Sequence, residues 1–247
     1  MSDSNVMLFE PAASRLVLRQ TGEAKSRAWR RRLVIGLAVA GLAAVTLLIH
    51  YLTPLAWNIE ATRALQSIRV PGLLEVMRLI SGFGNAPKVI AISAISLLVL
   101  NKGREAVGLA CCGLGGWFLS LQLKHVFAHP RPTAELVAVF HQWPDGSFPS
   151  GHLVFYVCYF GFLFFLAREH LPRHSALRPV VLVLIALPPV LVGLSRVYLG
   201  EHWPSDLPGS YLLGGVWTAL SMTLYRRWRQ VRKPQNDWFL PYRMTVK

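Results

Sequence analysis

Long stretches without a charged residue alternate with short polar ones along this 247-residue chain. Asp, Glu, Lys and Arg are all missing from 33–59, 106–123, 136–144, 146–167, 179–195 and 207–225. Several of these runs approach or exceed the ~18–20 apolar residues that carry a helix across a bilayer. The pattern predicts an all-α, polytopic membrane bundle with six transmembrane helices, at about 33–52, 86–100, 106–126, 151–167, 179–195 and 207–225. The second is the shortest and would need Lys88 to snorkel or the helix to extend backwards. A helical hairpin-like connection over 58–87, punctuated by Pro71-Gly72 and by 81–85, joins the first two. Residues 1–32 read as a basic amino-terminal segment, 33–225 as the six-span domain and 226–247 as a basic tail. The first apolar run is too long for a signal-peptide core and reads as an anchor.

Composition agrees with this pattern, since 53% of residues are hydrophobic and only 15% charged. A net charge of +14 raises the question of nucleic acid. Its placement answers it, because the basic residues sit at the ends of apolar runs, as in Arg30-Arg31-Arg32 and Arg226-Arg227. There they fix topology and meet anionic headgroups, and no nucleic-acid-binding motif accompanies them. With the amino terminus inside, the cytoplasmic segments carry 19 of the 26 Lys and Arg and the outer segments carry 7. Both termini are therefore expected in the cytoplasm, with 127–150 and 196–206 together on the outer face. Cys111, Cys112 and Cys158 all lie in apolar runs and read as packing residues rather than a disulfide framework.

Three polar stretches then meet at that outer face. The first, Lys124 to Pro132, holds Lys124 and Arg131. In the second, 147–152, Ser150 can cap the fourth span, Gly151 allows close backbone approach and the exposed amides favour an anion. The third, 194–206, holds Ser195, Arg196, Glu201, His202 and Asp206. His202 and Asp206 are four apart, so the carboxylate can hold one imidazole nitrogen and leave the other to attack or to take a proton. Cations and amides for phosphate oxygens, a nucleophile and an acid are the needs of phosphoryl transfer. No metal-binding carboxylate cluster is evident, so no metal and no cofactor are expected. His125, His129 and His141 share the face but are given no catalytic role. Glu201 reads as a solvated side chain, and Trp143 and Trp203 as interfacial anchors.

The three stretches resemble the Lys-x6-Arg-Pro, Pro-Ser-Gly-His and Ser-Arg-x5-His-x3-Asp motifs of the type-2 phosphatidic-acid phosphatase superfamily. The likeness spans roughly 80–225 and fits each motif without departure. It implies an integral membrane phosphatase, in a bacterial inner membrane, with its active site facing the periplasm or exterior. His202 would be the nucleophile oriented by Asp206, and His152 the general acid. Lys124, Arg131, Ser150, Gly151 and Arg196 would hold the phosphate. The substrate would be a lipid phosphate or diphosphate of the undecaprenyl pyrophosphate, phosphatidic acid or phosphatidylglycerophosphate class. A phosphotransferase or a non-catalytic transporter on the same scaffold is the alternative.

Overall fold

A computed structural model describes residues 55–82 and 103–231, together with scattered positions within 29–48 and 95–99. Met1–Ala44 and Val45–Lys247 form separate compact units. In the first unit, the described positions between Trp29 and Ala44 are helical. In the second, six continuous helices are described: α1 (Leu55–Gln66), α2 (Leu73–Gly82), α3 (Gly103–Phe127), α4 (Gly151–His170), α5 (Leu177–Tyr198) and α6 (Asp206–Val231). No strand occurs among the described residues, in line with the all-α expectation.

α3, α4 and α5 are long and apolar enough to cross a membrane. The first two expected spans lie largely outside the described residues, although Ile95, Ser96 and Val99 are helical and the Ser96 hydroxyl bonds that of Tyr159 on α4. The sixth expected span forms α6. It is less apolar than the other three, because Gly214, Gly215, Thr218 and Ser221 interrupt it and Arg226, Arg227 and Arg229 extend it into a basic end. α1 and α2 form the expected helical connection, turning at Pro71-Gly72 with Gly72 at φ +81°.

α4 is the centre of the second unit and packs against α3, α5 and α6. Its sequence is apolar around the whole circumference, which suits a helix enclosed by others. Leu153, Val154, Phe155, Cys158, Phe162 and Leu166 are accordingly buried. α3 approaches closely because it is glycine-rich where it meets its neighbours. A methyl group on Gly116 would collide with the Cys158 sulfur, and one on Gly115 would come within 2.6 Å of the Trp217 ring. Small residues at such crossings let helix backbones approach where lipid supplies no hydrophobic drive for association. Other faces of α3 and α5 present Phe118, Val126, Val180, Val183, Leu184 and Val190 outward. Exposed apolar side chains in that number suit acyl chains rather than water. α5 runs through Pro188 and Pro189 without a break, and the Tyr211 hydroxyl donates to the Pro189 carbonyl at 2.9 Å.

One end of this bundle collects the polar groups. The carboxy-terminal ends of α3 and α5, the amino-terminal ends of α4 and α6, and the loops 128–150 and 199–205 all converge there. Two turns set the second loop. Glu201 N and His202 N both donate to the Arg196 carbonyl, at 3.0 and 3.3 Å. Gly200 sits at φ +66°, where L-residues are strained, and a methyl on it would run into the Ala138 carbonyl oxygen. The strain and the clash act together, so Gly200→Ala should destabilise the protein by at least about 2 kcal/mol. Thermal unfolding in detergent measures this, and a melting temperature equal to the wild type would contradict it.

Candidate active site

His202 and Asp206 face each other as their spacing predicts, with His202 Nδ1 3.5 Å from Asp206 Oδ2. Both side chains are fully buried. The carboxylate is held from several directions. The Ser147 hydroxyl bonds Oδ2, the Trp203 backbone N–H donates to the same oxygen at 2.9 Å, and His129 Nδ1 lies 3.3 Å from Oδ1. A carboxylate fixed this way orients the imidazole. Nδ1 points at Asp206 and Ser147, whereas Nε2 looks the other way, 3.5 Å from Arg131 Nη1.

Burial drives the His202 imidazole down to about 3; the Asp206 carboxylate opposes this, and Arg131 and Arg196 push it further down. The ring is therefore neutral at physiological pH, with a lone pair on one nitrogen. The same shift bears on acid stability. Unfolding releases His202 to its ordinary pKa near 6.5, so the unfolded chain takes up a proton that the folded one refuses. Stability on this account is intact above pH 6.5 and falls as the pH drops from there toward 3. In His202→Asn that part of the loss should vanish, which melting temperatures of the two proteins between pH 7 and 5 would show as a shallower slope. Parallel slopes would contradict it.

The three expected cations surround this pair, each in its own way. Lys124, on the last turn of α3, is buried and donates to the Gly146 carbonyl at 2.8 Å. It also ion-pairs with Asp145 at 2.9 Å. Arg131 straddles Asp145, with Nε on its carbonyl at 2.8 Å and Nη2 on its carboxylate at 2.6 Å. Nη1 of the same guanidinium reaches the Glu201 carbonyl at 2.5 Å. Arg196 is buried at the end of α5, where it ion-pairs with Glu201 and donates to the Ser81 hydroxyl at 2.6 Å. Burial pushes the Asp145 carboxyl up, but the bonds from Lys124 and Arg131 outweigh this and hold it below its ordinary range.

Ser150 caps α4 as expected, its hydroxyl accepting from Leu153 N at 3.4 Å. Its own backbone N–H donates to the Ser210 hydroxyl at 2.9 Å, which ties the start of α4 to α6. Ser120 Oγ would lie only 3.2 Å from a methyl at Gly151, so the helix start is closely covered by α3. His152 follows, and with His202 it lines a small cavity of about 110 Å³ that also touches Lys124, Arg131, Arg196 and Gly151. Every candidate site residue of the sequence reading is thus gathered at one end of the bundle. Among the described residues, no three His, Cys, Asp or Glu side chains converge on a metal position.

Three expectations need correction. Glu201 is not solvated: it is buried, and its carboxylate holds both Arg196 and the Trp143 indole N–H. Trp203 is not an interfacial anchor, because its ring is buried and Nε1 donates to the Pro130 carbonyl at 3.0 Å. Trp143 lines the small cavity instead, 6.0 Å from the His152 ring. His129, given no role from sequence, touches Asp206. Ser147 and Asp145 are further members that sequence reasoning left unassigned. Ser147 stands three residues before the helix cap and Asp145 is one of two acids in the 128–150 loop, with Glu135, and neither position carries a local signal of its partner.

The sequence profile of the PAP2 superfamily matches residues 106–230, a stretch that contains all three motifs. The chain is also 30% identical over 157 residues to phosphatidylglycerophosphatase B of Bacillus subtilis, covering 62% of this chain and 75% of that protein. The chain belongs to the PAP2 superfamily. Other members are more distant or match in part. An undecaprenyl-diphosphatase of Sulfolobus acidocaldarius is 25% identical over 173 residues, covering 69% of this chain and 79% of that protein. YbjG of Escherichia coli is 33% identical over 120 residues, and the match spans 44% of this chain and 56% of that protein. The fold agrees with a crystal structure of a transmembrane PAP2-type phosphatidylglycerolphosphate phosphatase from Bacillus subtilis. The TM-score is 0.66 at 25% identity, over 78% of this chain and 96% of that one. The bundle end that holds His202 and Asp206 is therefore the candidate active site of a PAP2 membrane phosphatase.

Proposed function

We propose that this PAP2 phosphatase hydrolyses a lipid phosphate or diphosphate at the outer face of a bacterial inner membrane, through a phosphohistidine on His202. The observation that carries the reading is the aim of one imidazole. His202 is neutral, its Nδ1 is engaged by Asp206, and its Nε2 faces the Arg131 guanidinium that would hold a phosphate oxygen.

The steps follow from that aim. Nε2 of His202 attacks phosphorus in line, a P–N bond forms and the P–O bond to the leaving group breaks. His152 gives its proton to the leaving oxygen, whether that is a lipid alkoxide or a lipid monophosphate. Asp206 stabilises the imidazole as it becomes cationic. Water then attacks the phosphohistidine, His152 takes a proton from it, the P–N bond breaks and inorganic phosphate leaves. Lys124, Arg131 and Arg196, with the Ser150 and Gly151 end of α4, would take up the charge on the equatorial oxygens. No metal is needed to supply positive charge there, because three cations already line the cavity.

The membrane context supports the lipid. α3 would bring Trp117 and Leu121 beside an acyl or prenyl chain, as both line the small cavity. Undecaprenyl pyrophosphate, phosphatidic acid and phosphatidylglycerophosphate all carry a terminal phosphate on a lipid, and the relatives named as an undecaprenyl-diphosphatase and a phosphatidylglycerophosphatase point to this class. Both termini in the cytoplasm, as the Lys and Arg distribution favours, would put this end outside. The test is phosphate release from a panel of these lipids by detergent-purified protein in the presence of chelator. Release that persists with chelator supports the reading, and its ranking across the panel names the substrate. No release from any lipid by folded protein would favour the transferase or transporter alternative.

A further inference from the structure

The cations of the candidate site are already occupied by an acid of the same chain. Asp145 bridges Lys124 and Arg131 at 2.9 and 2.6 Å, and Glu201 pairs with Arg196. With Asp206 counted, three cations face three carboxylates, so the formal charges of these six side chains balance. A phosphate that enters must either displace an internal carboxylate or sit beside one.

Two of these carboxylates are poorly placed to yield. Asp206 is fully buried and orients His202, and Glu201 is buried under Trp143. Asp145 differs. Its side chain is 31% exposed and sits in a loop. The backbone around it is held without the carboxylate, by Arg131 Nε on the Asp145 carbonyl, Lys124 Nζ on the Gly146 carbonyl, and Ser147 N on the His129 carbonyl at 2.7 Å. The carboxylate can therefore swing away while the loop stays in place.

Its position decides what it competes with. Beside the small cavity lies a larger chamber of about 820 Å³, lined by His125, His129, His141 and Gln142 among others. Lys124, Arg131, Trp143 and Asp145 line both spaces, so Asp145 stands where the two meet. An anion approaching through the chamber encounters this carboxylate on the cations it seeks.

We propose that Asp145 is a specificity-determining residue: an internal competitor whose carboxylate, bridging Lys124 and Arg131, keeps free inorganic phosphate from occupying the site. This rests on reading the site as a phosphate site. Lipid and free phosphate both have to displace the carboxylate, but a lipid also has its chain held in the bilayer beside α3, and free phosphate has nothing comparable. The enzyme would thus be spared occupancy by its own product.

The test is the concentration of inorganic phosphate that half-maximally raises the melting temperature of the full-length protein in detergent. It is measured for the wild type, Asp145→Asn and Asp145→Ser, with Asp145→Glu as the charge-retaining control. A charge-assisted bond that no longer has to be broken should lower that concentration roughly 10- to 100-fold in Asn and Ser. Asp145→Glu should stay near the wild type. An unchanged or higher concentration in both neutral variants would overturn the proposal, since it would mean that the carboxylate positions the cations rather than competing for them. Phosphate that stabilises none of the proteins would overturn the phosphate-site reading, and this proposal with it. Phosphate that stabilises wild type and neutral variants equally would overturn the proposal alone.

Discussion

His202→Ala should reduce phosphate release from a lipid phosphate by at least about a thousandfold while leaving the bundle folded. Losing a nucleophile in a covalent mechanism removes the step itself, and comparable knockouts of nucleophilic groups cost three to six orders of magnitude. The residual rate would come from cations that still bind phosphate and polarise it. The variant should fold, because His202 touches Asp206 and Ser147 at 3.5 Å and removing its ring leaves that carboxylate with the bonds from Ser147 and Trp203. Initial rates on one lipid phosphate, with the variant's melting temperature as a check on folding, measure the effect. A rate within tenfold of the wild type would require another nucleophile.

The pairing behind this prediction was legible from four-residue spacing alone. The start of α4 was also legible, since Pro149-Ser150-Gly151 is a helix-start signal and Ser150 caps as its hydroxyl allows. The acids that neutralise the cations were not. Asp145 meets Lys124 and Arg131 through a loop without periodicity, and Glu201 meets Trp143 across 58 residues. Such contacts depend on how a loop folds back on a helix end, which no local pattern encodes. Trp203 was misjudged for a related reason. A Trp beside an apolar run reads as an anchor, but the Pro130 carbonyl offered its indole N–H a buried partner. The glycines of α3 are a signal of the opposite kind, because close helix approach requires small residues in the sequence itself. The first two expected spans fall mostly outside the described residues.

The second large effect is on stability, at a residue that sequence had consigned to solvent. Glu201→Ala should destabilise the protein by about 3–5 kcal/mol, the usual cost of leaving one partner of a buried ion pair uncompensated. Arg196 would keep its bond to Ser81 but lose its counter-charge, and Trp143 would lose the acceptor of its indole N–H. Since Arg196 and Trp143 both line the small cavity, activity should fall along with stability. A double-mutant cycle separates the pair from its surroundings. Arg196→Met with Glu201→Ala should be less destabilised than the sum of the two single variants, by more than about 1 kcal/mol. Melting temperatures of the four proteins in one detergent measure this, and strict additivity would mean that the pair contributes nothing of its own.

Catalysis by this route forms a covalent bond between phosphorus and His202, and that bond can be sought directly. Wild-type protein would be mixed with a lipid phosphate labelled in the scissile phosphoryl group and quenched in alkali, where an N-linked phosphoryl group survives. The labelled peptide would then be sequenced. Label on the peptide that contains His202, absent from His202→Ala and increased when Asp206→Asn slows turnover, is the predicted result. Label on another residue, or phosphate release with no labelled protein at any time point, would contradict it.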